Sequence, residues 1–267
     1  MKRTLRTLFA LLRIRFSGLM AYRLSFFTAL IADGTLFIVQ LLFFRLLTRS
    51  AVQGWSPAMY TMFVGSFLTL DGAYMATWFF GVIDLPRLIR TGELDLYRVR
   101  PLDTLFYLSF SRMDGGSAPL VLLGTAMALS GAAQAGCLTL QNVLLWLLAL
   151  AVMYVLMYAL SLLVRVAAFW MTNANALGAL ENEMVSCSFR LPLPAITGAW
   201  KYILLLALPY GLAANFPACA LAGQTSPLWW LYTVALTAAF LAFALLLWRA
   251  GLRRYESASS GPIFRST

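Results

Sequence analysis

From Gly115 to Val164 the chain runs 50 residues without an Asp, Glu, Lys or Arg, and from Tyr202 to Trp248 it does so for another 47. About 20 apolar residues in a helix cross the roughly 30 Å hydrocarbon core of a bilayer. Each block therefore holds two crossings. A helix of a water-soluble domain keeps a charged face toward solvent, and these blocks have none. In lipid every backbone polar group must be bonded within the spanning structure itself. No stretch shows the short alternation a membrane barrel needs. The expected fold is an all-α polytopic membrane protein.

Composition sharpens what this excludes. Hydrophobic residues make up 61% of the chain and charged residues 11%, against about 25% charged in ordinary globular domains. The longest polar stretches are about 20 residues, too short to bury a core of their own. The net charge is +10, but the arginines flank apolar spans and form no continuous basic face. That is the pattern of positive-inside topology, and nucleic acid is not an expected partner. Lys2, Arg3, Arg6, Arg13, Arg15 and Arg23 break up the first residues, unlike the unbroken apolar stretch of a signal peptide. Histidine is absent, and Cys137, Cys187 and Cys219 are widely spaced. No metal site is expected. No nucleophile–base constellation or paired carboxylates stand out. No catalytic residue is expected, and the chain is not read as an enzyme.

Six transmembrane helices are expected within a single transmembrane domain over 24–254. Residues 1–23 read as an N-terminal amphipathic interfacial helix, with Leu5, Leu8, Phe9, Leu12, Phe16 and Leu19 at helical steps. The first span is Leu24–Phe44, with Asp33 inside it, and the second is Ala58–Ile83, with Asp71 inside it. The third is Ser117–Gly136 and the fourth Asn142–Val164. The last is Pro227–Trp248, ended by Arg249, Arg253 and Arg254. Residues 255–267 form a short tail. Two placements of the fifth span stay open. Hydropathy and the positive-inside rule favour Ala199–Leu221. Pro192, Pro194, Pro209 and Pro217 favour Ala168–Phe189, followed by a Pro-broken segment that survives at membrane depth only when packed against protein or a water-filled cavity. With either, the basic residues place both termini in the cytosol.

Two sets of residues stand out. The loop after the second span, 84–103, alternates charges with small apolar patches at Leu85, Leu88, Ile89, Leu94 and Leu96. Pro86 suits a helix start and Gly92 a helix end. Such a loop suits docking of a soluble partner. The second set is buried polar residues: Asp33, Asp71, Asn173, Asn175 and Glu181. A carboxylate at mid-membrane costs about 2.5–3.5 kcal/mol on insertion scales. These groups either line a conduit or hold helices together. Gly65, Ser66, Thr69, Gly72, Ala73 and Ala76 give the second span a small-residue face for close packing around Asp71.

The order of basic amphipathic helix, two spans, charged loop, two close spans, Pro-broken segment and last span resembles the permeases of bacterial type-2 ABC exporters. The runs Arg90-Thr91-Gly92-Glu93-Leu94-Asp95 and Arg100-Pro101-Leu102-Asp103, with Asp71-Gly72 and Arg112-Met113-Asp114, are similar to one small branch of them. The resemblance implies a permease subunit paired with an identical or sister permease in the bacterial inner membrane. Separate ABC ATPase subunits would bind ATP and Mg. Leu85, Arg87, Leu88, Arg90, Gly92, Glu93, Leu94 and Asp95 would form the coupling element toward them. The resemblance further implies a fifth span near 168–189 and a Pro-broken segment re-entrant from the outer side. Glu181 and Glu183 depart from it, being acidic where a span should be apolar. No Gly-x-x-x-x-Gly-Lys-Ser/Thr run is present, so no phosphate-cradling loop belongs to this chain. The alternative from the residues alone is an ion-coupled secondary transporter using Asp33 and Asp71, although its usual internal repeat is not seen.

Overall fold

The computed structural model describes residues 55–171, 175–196 and 198–259, together with Thr35, Val39 and Leu42. The amphipathic helix over 1–23, Asp33 and the rest of the first span apart from those three residues, Asn173, and the tail from 260 lie outside the described residues. Among the described residues the chain is helical throughout and no strand occurs.

Helix α1 (Pro57–Tyr74) starts where Ser56 accepts a hydrogen bond from the Met59 amide at 3.3 Å and Pro57 fills the first position. It runs through a π-helical stretch, Met75–Phe79, into α2 (Phe80–Ile83). Three short helices follow: α3 (Leu85–Thr91), α4 (Asp95–Arg98) and α5 (Thr104–Phe110). Next are α6 (Ala118–Gln134), preceded by one 3-10 turn, and α7 (Leu140–Val166), extended by a 3-10 turn at Ala167–Phe169. Helix α8 (Asn175–Arg190) leads into an irregular stretch holding α9 (Ala199–Tyr202). Helix α10 (Leu212–Leu221) and the long α11 (Pro227–Ser259) complete the chain.

The core is set by how closely α1 and α6 approach. A Cβ on Gly65 would lie 2.4 Å from the Ala128 amide nitrogen, and one on Gly124 would lie 2.4 Å from that of Thr69. Gly72 meets Leu120 and Val121, and Gly131 meets Ala58 and Met62, so the two helices run antiparallel. This is the small-residue contact expected of the second span, and it brings backbone against backbone. Trp146 of α7 closes the other side, donating from Nε1 to Ser66 Oγ at 2.9 Å.

Among the described residues, three helical stretches are long and apolar enough to cross a membrane: Gly115–Gln134, Leu140–Phe169 and Pro227–Tyr255. They coincide with the expected third, fourth and last spans. The stretch expected as the second span, α1 through α2, is continuous but more polar. Nearly all of α1 is buried by its neighbours, Thr61, Ser66 and Thr69 among them, while Asp71 is only partly buried. On α11 the opposite holds: Leu228, Leu231, Phe243 and Leu246 are all more than half exposed, as a lipid-facing helix requires. Helix α11 does not stop at Arg249, Arg253 and Arg254 as expected but runs on to Ser259. Arginine is a good helix former; hydropathy marks where a helix leaves the apolar layer, not where its hydrogen bonding ends.

Neither placement of the fifth span forms one uninterrupted helix. Helix α8 covers most of 168–189, while 199–221 is divided among α9, a π-helical stretch, a 3-10 turn at Pro209–Gly211 and α10. The breaks are held by buried Asn215. Its Oδ1 accepts from the Leu193 amide at 2.7 Å, and its Nδ2 donates to the carbonyls of Leu191 at 3.3 Å and Gly211 at 2.8 Å. One side chain thus serves backbone groups that the prolines leave without helical partners.

The bundle has two chemically different ends. The turns at residues 134–142 and 222–226 meet where Gly223 approaches Asn142, and neither turn contains a charged residue. At the other end α3 rests on the 3-10 turn at Ala167–Phe169, and the Phe169 ring contacts Trp248 and Tyr255 of α11. Arg87, Arg90, Arg98, Arg100 and Arg112 belong to this end, as do Arg253 and Arg254 beside Tyr255.

Candidate functional site: a charged elbow and a pocket lined by two carboxylates

At the basic end the chain folds into a tight elbow. Gly92 ends α3 in the left-handed region (φ 74), and the Leu94 amide then donates to the Leu88 carbonyl at 3.2 Å. Arg87 clasps both sides of the turn. It donates to Asp84 through Nε at 2.8 Å and Nη2 at 2.7 Å, and through Nη1 to both oxygens of Glu93 at 2.9 Å. Arg112 adds a second contact to Asp84 at 3.0 Å. Hydrogen bonds from Arg87, together with the charge of Arg112, hold the Asp84 carboxyl below its ordinary range, although partial burial opposes them. Pairs this exposed fix geometry more than they add stability. Asp103 caps α5 by accepting from the Phe106 amide at 2.8 Å, and Arg100 lies 4.5 Å from the centre of the Tyr107 ring.

The expected coupling residues divide into three groups. Leu85, Leu88 and Leu94 are essentially fully buried and seat the elbow on the bundle. Arg87 and Glu93 are spent on each other. Arg90, Gly92 and Asp95 are exposed. The apolar groups that face outward are Leu96, 64% exposed, and Val99, 82% exposed. Asp84, at the start of the loop, and Arg112, beyond its end, both belong to the clasp, a role their positions 28 residues apart do not reveal.

A pocket of about 220 Å³ opens between the first helix, α7 and α8. Its wall is mostly apolar, with Met75, Phe79, Met157 and Val185, and Asp71, Tyr74, Ser161 and Glu181 add polar groups beside Trp78. The Tyr74 hydroxyl donates to Asp71 Oδ1 one turn back. Glu181 is tied to Arg165 at 2.6 Å, and both side chains are at least nine-tenths buried. Gly178 makes room, because a Cβ there would lie 2.4 Å from Arg165 Nη1. Glu183, two residues from Glu181, is exposed, as the helical period demands.

The π-helical stretch carries Trp78 across the base of this cavity. Its ring stacks on Tyr74 at 5.3 Å and meets Tyr154 and Tyr158 edge-on. Those tyrosines pair with Thr77 at 2.5 Å and Ser109 at 2.9 Å. A nearly apolar pocket of about 320 Å³ lies on the other side of Trp78, walled by Leu105, Phe106, Phe110 and Val155, with Asp103 at its edge. The structure thus brings Asp71 and Glu181 to one cavity. It places Asn175 at the first turn of α8. Arg165, Ser161 and Trp78 are the residues that sequence reasoning missed. The available signal was Arg165 itself, an arginine in the last turn of a long apolar helix, which needs a buried partner. Among the described residues no group of His, Cys, Asp and Glu has the arrangement to hold a metal.

No curated protein and no solved structure matches this chain. A family model described as ABC-2 family transporter protein matches residues 10–259. That match takes in the elbow, the pocket beside Trp78 and every described helix. The chain is a membrane transport component: it belongs to the ABC-2 family of transporter proteins.

Proposed function

We propose that this chain is the permease subunit of an ATP-driven exporter, working with separate ABC ATPase subunits and a second permease, identical or sister, in a bacterial inner membrane. In this reading it has six spans and both termini in the cytosol, with the Pro-broken segment re-entrant from the outer side. The single transmembrane domain over 24–254 forms the path. ATP and Mg belong to the partner, which closes around nucleotide and pushes on the elbow. The family membership offers no support for the ion-coupled alternative.

The observation that carries the reading is the build of the elbow. Its inner leucines are locked into the bundle and its turn is clasped by Arg87, so it moves as one piece. It presses on the 3-10 turn that follows Arg165, two residues along the chain. A push there reaches the Arg165–Glu181 pair and so the cavity. Leu96 and Val99 present apolar surface outward, with Arg90 and Asp95 as flanking charges, a layout of apolar centre and polar rim suited to a protein partner.

Leu96→Glu and Val99→Glu test this without touching the clasp. Co-expressed with the candidate ATPase, each is expected to lower its recovery with the permease by about tenfold, or about 1.4 kcal/mol, and to lower transport in parallel. Thermal stability of the permease alone should be unchanged. Undiminished association and transport in both variants would remove the coupling role.

A further inference from the structure

The 3-10 turn Ala167–Phe169 touches both the elbow, through α3, and the last helix, α11. The Phe169 ring, 8% exposed, reaches the α11 backbone at Gly251. A Cβ at that position would lie 2.8 Å from Cγ and Cε2 of the ring and closer still to Cδ2. Gly251 is the single glycine in α11. A glycine inside a helix costs about 0.5–1 kcal/mol relative to alanine, and here alanine would collide with the ring.

Trp248 and Tyr255 stand one turn to either side of Gly251 on the same helix face. Both meet the Phe169 ring edge-on, with centroids 5.8 and 6.2 Å away. The three residues form a socket around one ring. Tyr255 also places its hydroxyl beside the Asp95 carboxylate of α4, so the end of α11 meets the elbow a second time. Burial alone does not call for this arrangement. A larger residue at 251 facing a smaller one at 169 would remove as much apolar surface from water. What the notch adds is depth: the ring is held on three sides, and close-packed groups of low compressibility pass a displacement on. Beyond the socket α11 gives much of its surface to lipid, through Phe243, Leu246, Leu231 and Leu228.

We propose that Phe169, seated in the Gly251 notch, is a positioning residue through which the elbow moves the last helix. A push on α3 then divides at the 3-10 turn. One part runs back along α7 to the Arg165–Glu181 pair, and the other is delivered to α11. This joint has a purpose only if the exporter reading of the elbow holds.

The test uses the full-length permease with its candidate ATPase in phosphatidylcholine nanodiscs. Amide hydrogen exchange is read by mass spectrometry without nucleotide and after trapping with ATP and vanadate. In the wild-type complex, trapping is expected to change exchange about threefold or more both in the elbow, 85–98, and in the last turns of α11, 249–259. Phe169→Met keeps most of the volume but replaces a rigid ring with a flexible chain. It is expected to keep the elbow response and lose most of the α11 response. Gly251→Ala fills the socket from the other side and is expected to do the same. Tyr255→Phe removes only the hydroxyl facing Asp95 and is expected to leave both responses. A full α11 response in a folded Phe169→Met complex overturns the joint and leaves the exporter reading standing. So does a wild-type complex in which the elbow responds and 249–259 does not. Loss of the α11 response in Tyr255→Phe would move the link to Asp95 and overturn the role of the ring. Should Phe169→Met not fold, Gly251→Ala decides in its place. A permease that recruits no ATPase overturns the exporter reading, and the joint with it.

Discussion

Arg165 and Glu181 face each other inside the bundle at 2.6 Å, and removing either leaves a buried charge unanswered. Breaking such a pair from one side costs about 3–5 kcal/mol, whereas replacing both partners with apolar groups is often neutral or stabilising. Arg165→Met is therefore expected to lower the thermal unfolding midpoint of the purified protein sharply, and adding Glu181→Leu to recover most of the loss. If the double variant is as unstable as the single one, the pair is not what holds α8 to α7. The sequence marks both residues as anomalies, an arginine interrupting an apolar run and an acid where a span belongs. It does not mark them as a pair, because 16 positions and the break after Phe169 separate them and no helical period links the two. Asp71 is a similar case. Its depth is legible from the span around it. That Gly72 next to it packs on α6 while the carboxylate turns to a cavity depends on which helix lies on each side.

The elements obey the physics of their composition where contacts are local and depart from it where they are not. The small-residue face of α1 is written in its sequence; its partner α6 is not, since Gly124 and Gly131 read equally well as tolerated lipid-facing glycines. The contact makes a sharp prediction. Gly65→Ala drives a methyl into the Ala128 backbone at 2.4 Å, which no rotamer change relieves, so the helices must separate. Overpacking of this kind costs about 1–3 kcal/mol or more. Gly92→Ala meets no atom within 4 Å but holds φ at 74, at a cost of about 1–2 kcal/mol confined to the elbow. Gly65→Ala is thus expected to lower the thermal midpoint of the whole bundle, and Gly92→Ala to weaken ATPase association with a smaller effect on that midpoint. The reverse ranking would mean that α1 and α6 do not meet as described. The elbow's division of labour was equally hidden. Its leucines suit a partner's groove by sequence, but Leu85, Leu88 and Leu94 are taken by the chain's own core, and the outward role falls to Leu96 and Val99.

Across the molecule, the charge asymmetry expected from the sequence is found gathered in space. Turns distant in sequence, at 134–142 and 222–226, meet at an uncharged end, while the elbow and the last turns of α11 meet at a basic one. A membrane protein with one basic and one uncharged end is oriented by the excess of Lys and Arg toward the cytosol. Inverting this one would carry the arginines of the elbow across the bilayer. In a variant with Cys137, Cys187 and Cys219 replaced by Ala, single cysteines at exposed positions read out the orientation directly. Leu138→Cys and Gln224→Cys mark the uncharged end, and Thr91→Cys marks the elbow. A membrane-impermeant maleimide added to intact cells, with the outer membrane made permeable, is expected to label the first two and not the third. In inverted inner-membrane vesicles the pattern should reverse. Labelling of Thr91→Cys from outside would place the elbow away from any cytosolic ATPase, and the proposed transmission from elbow to cavity would then have no driver.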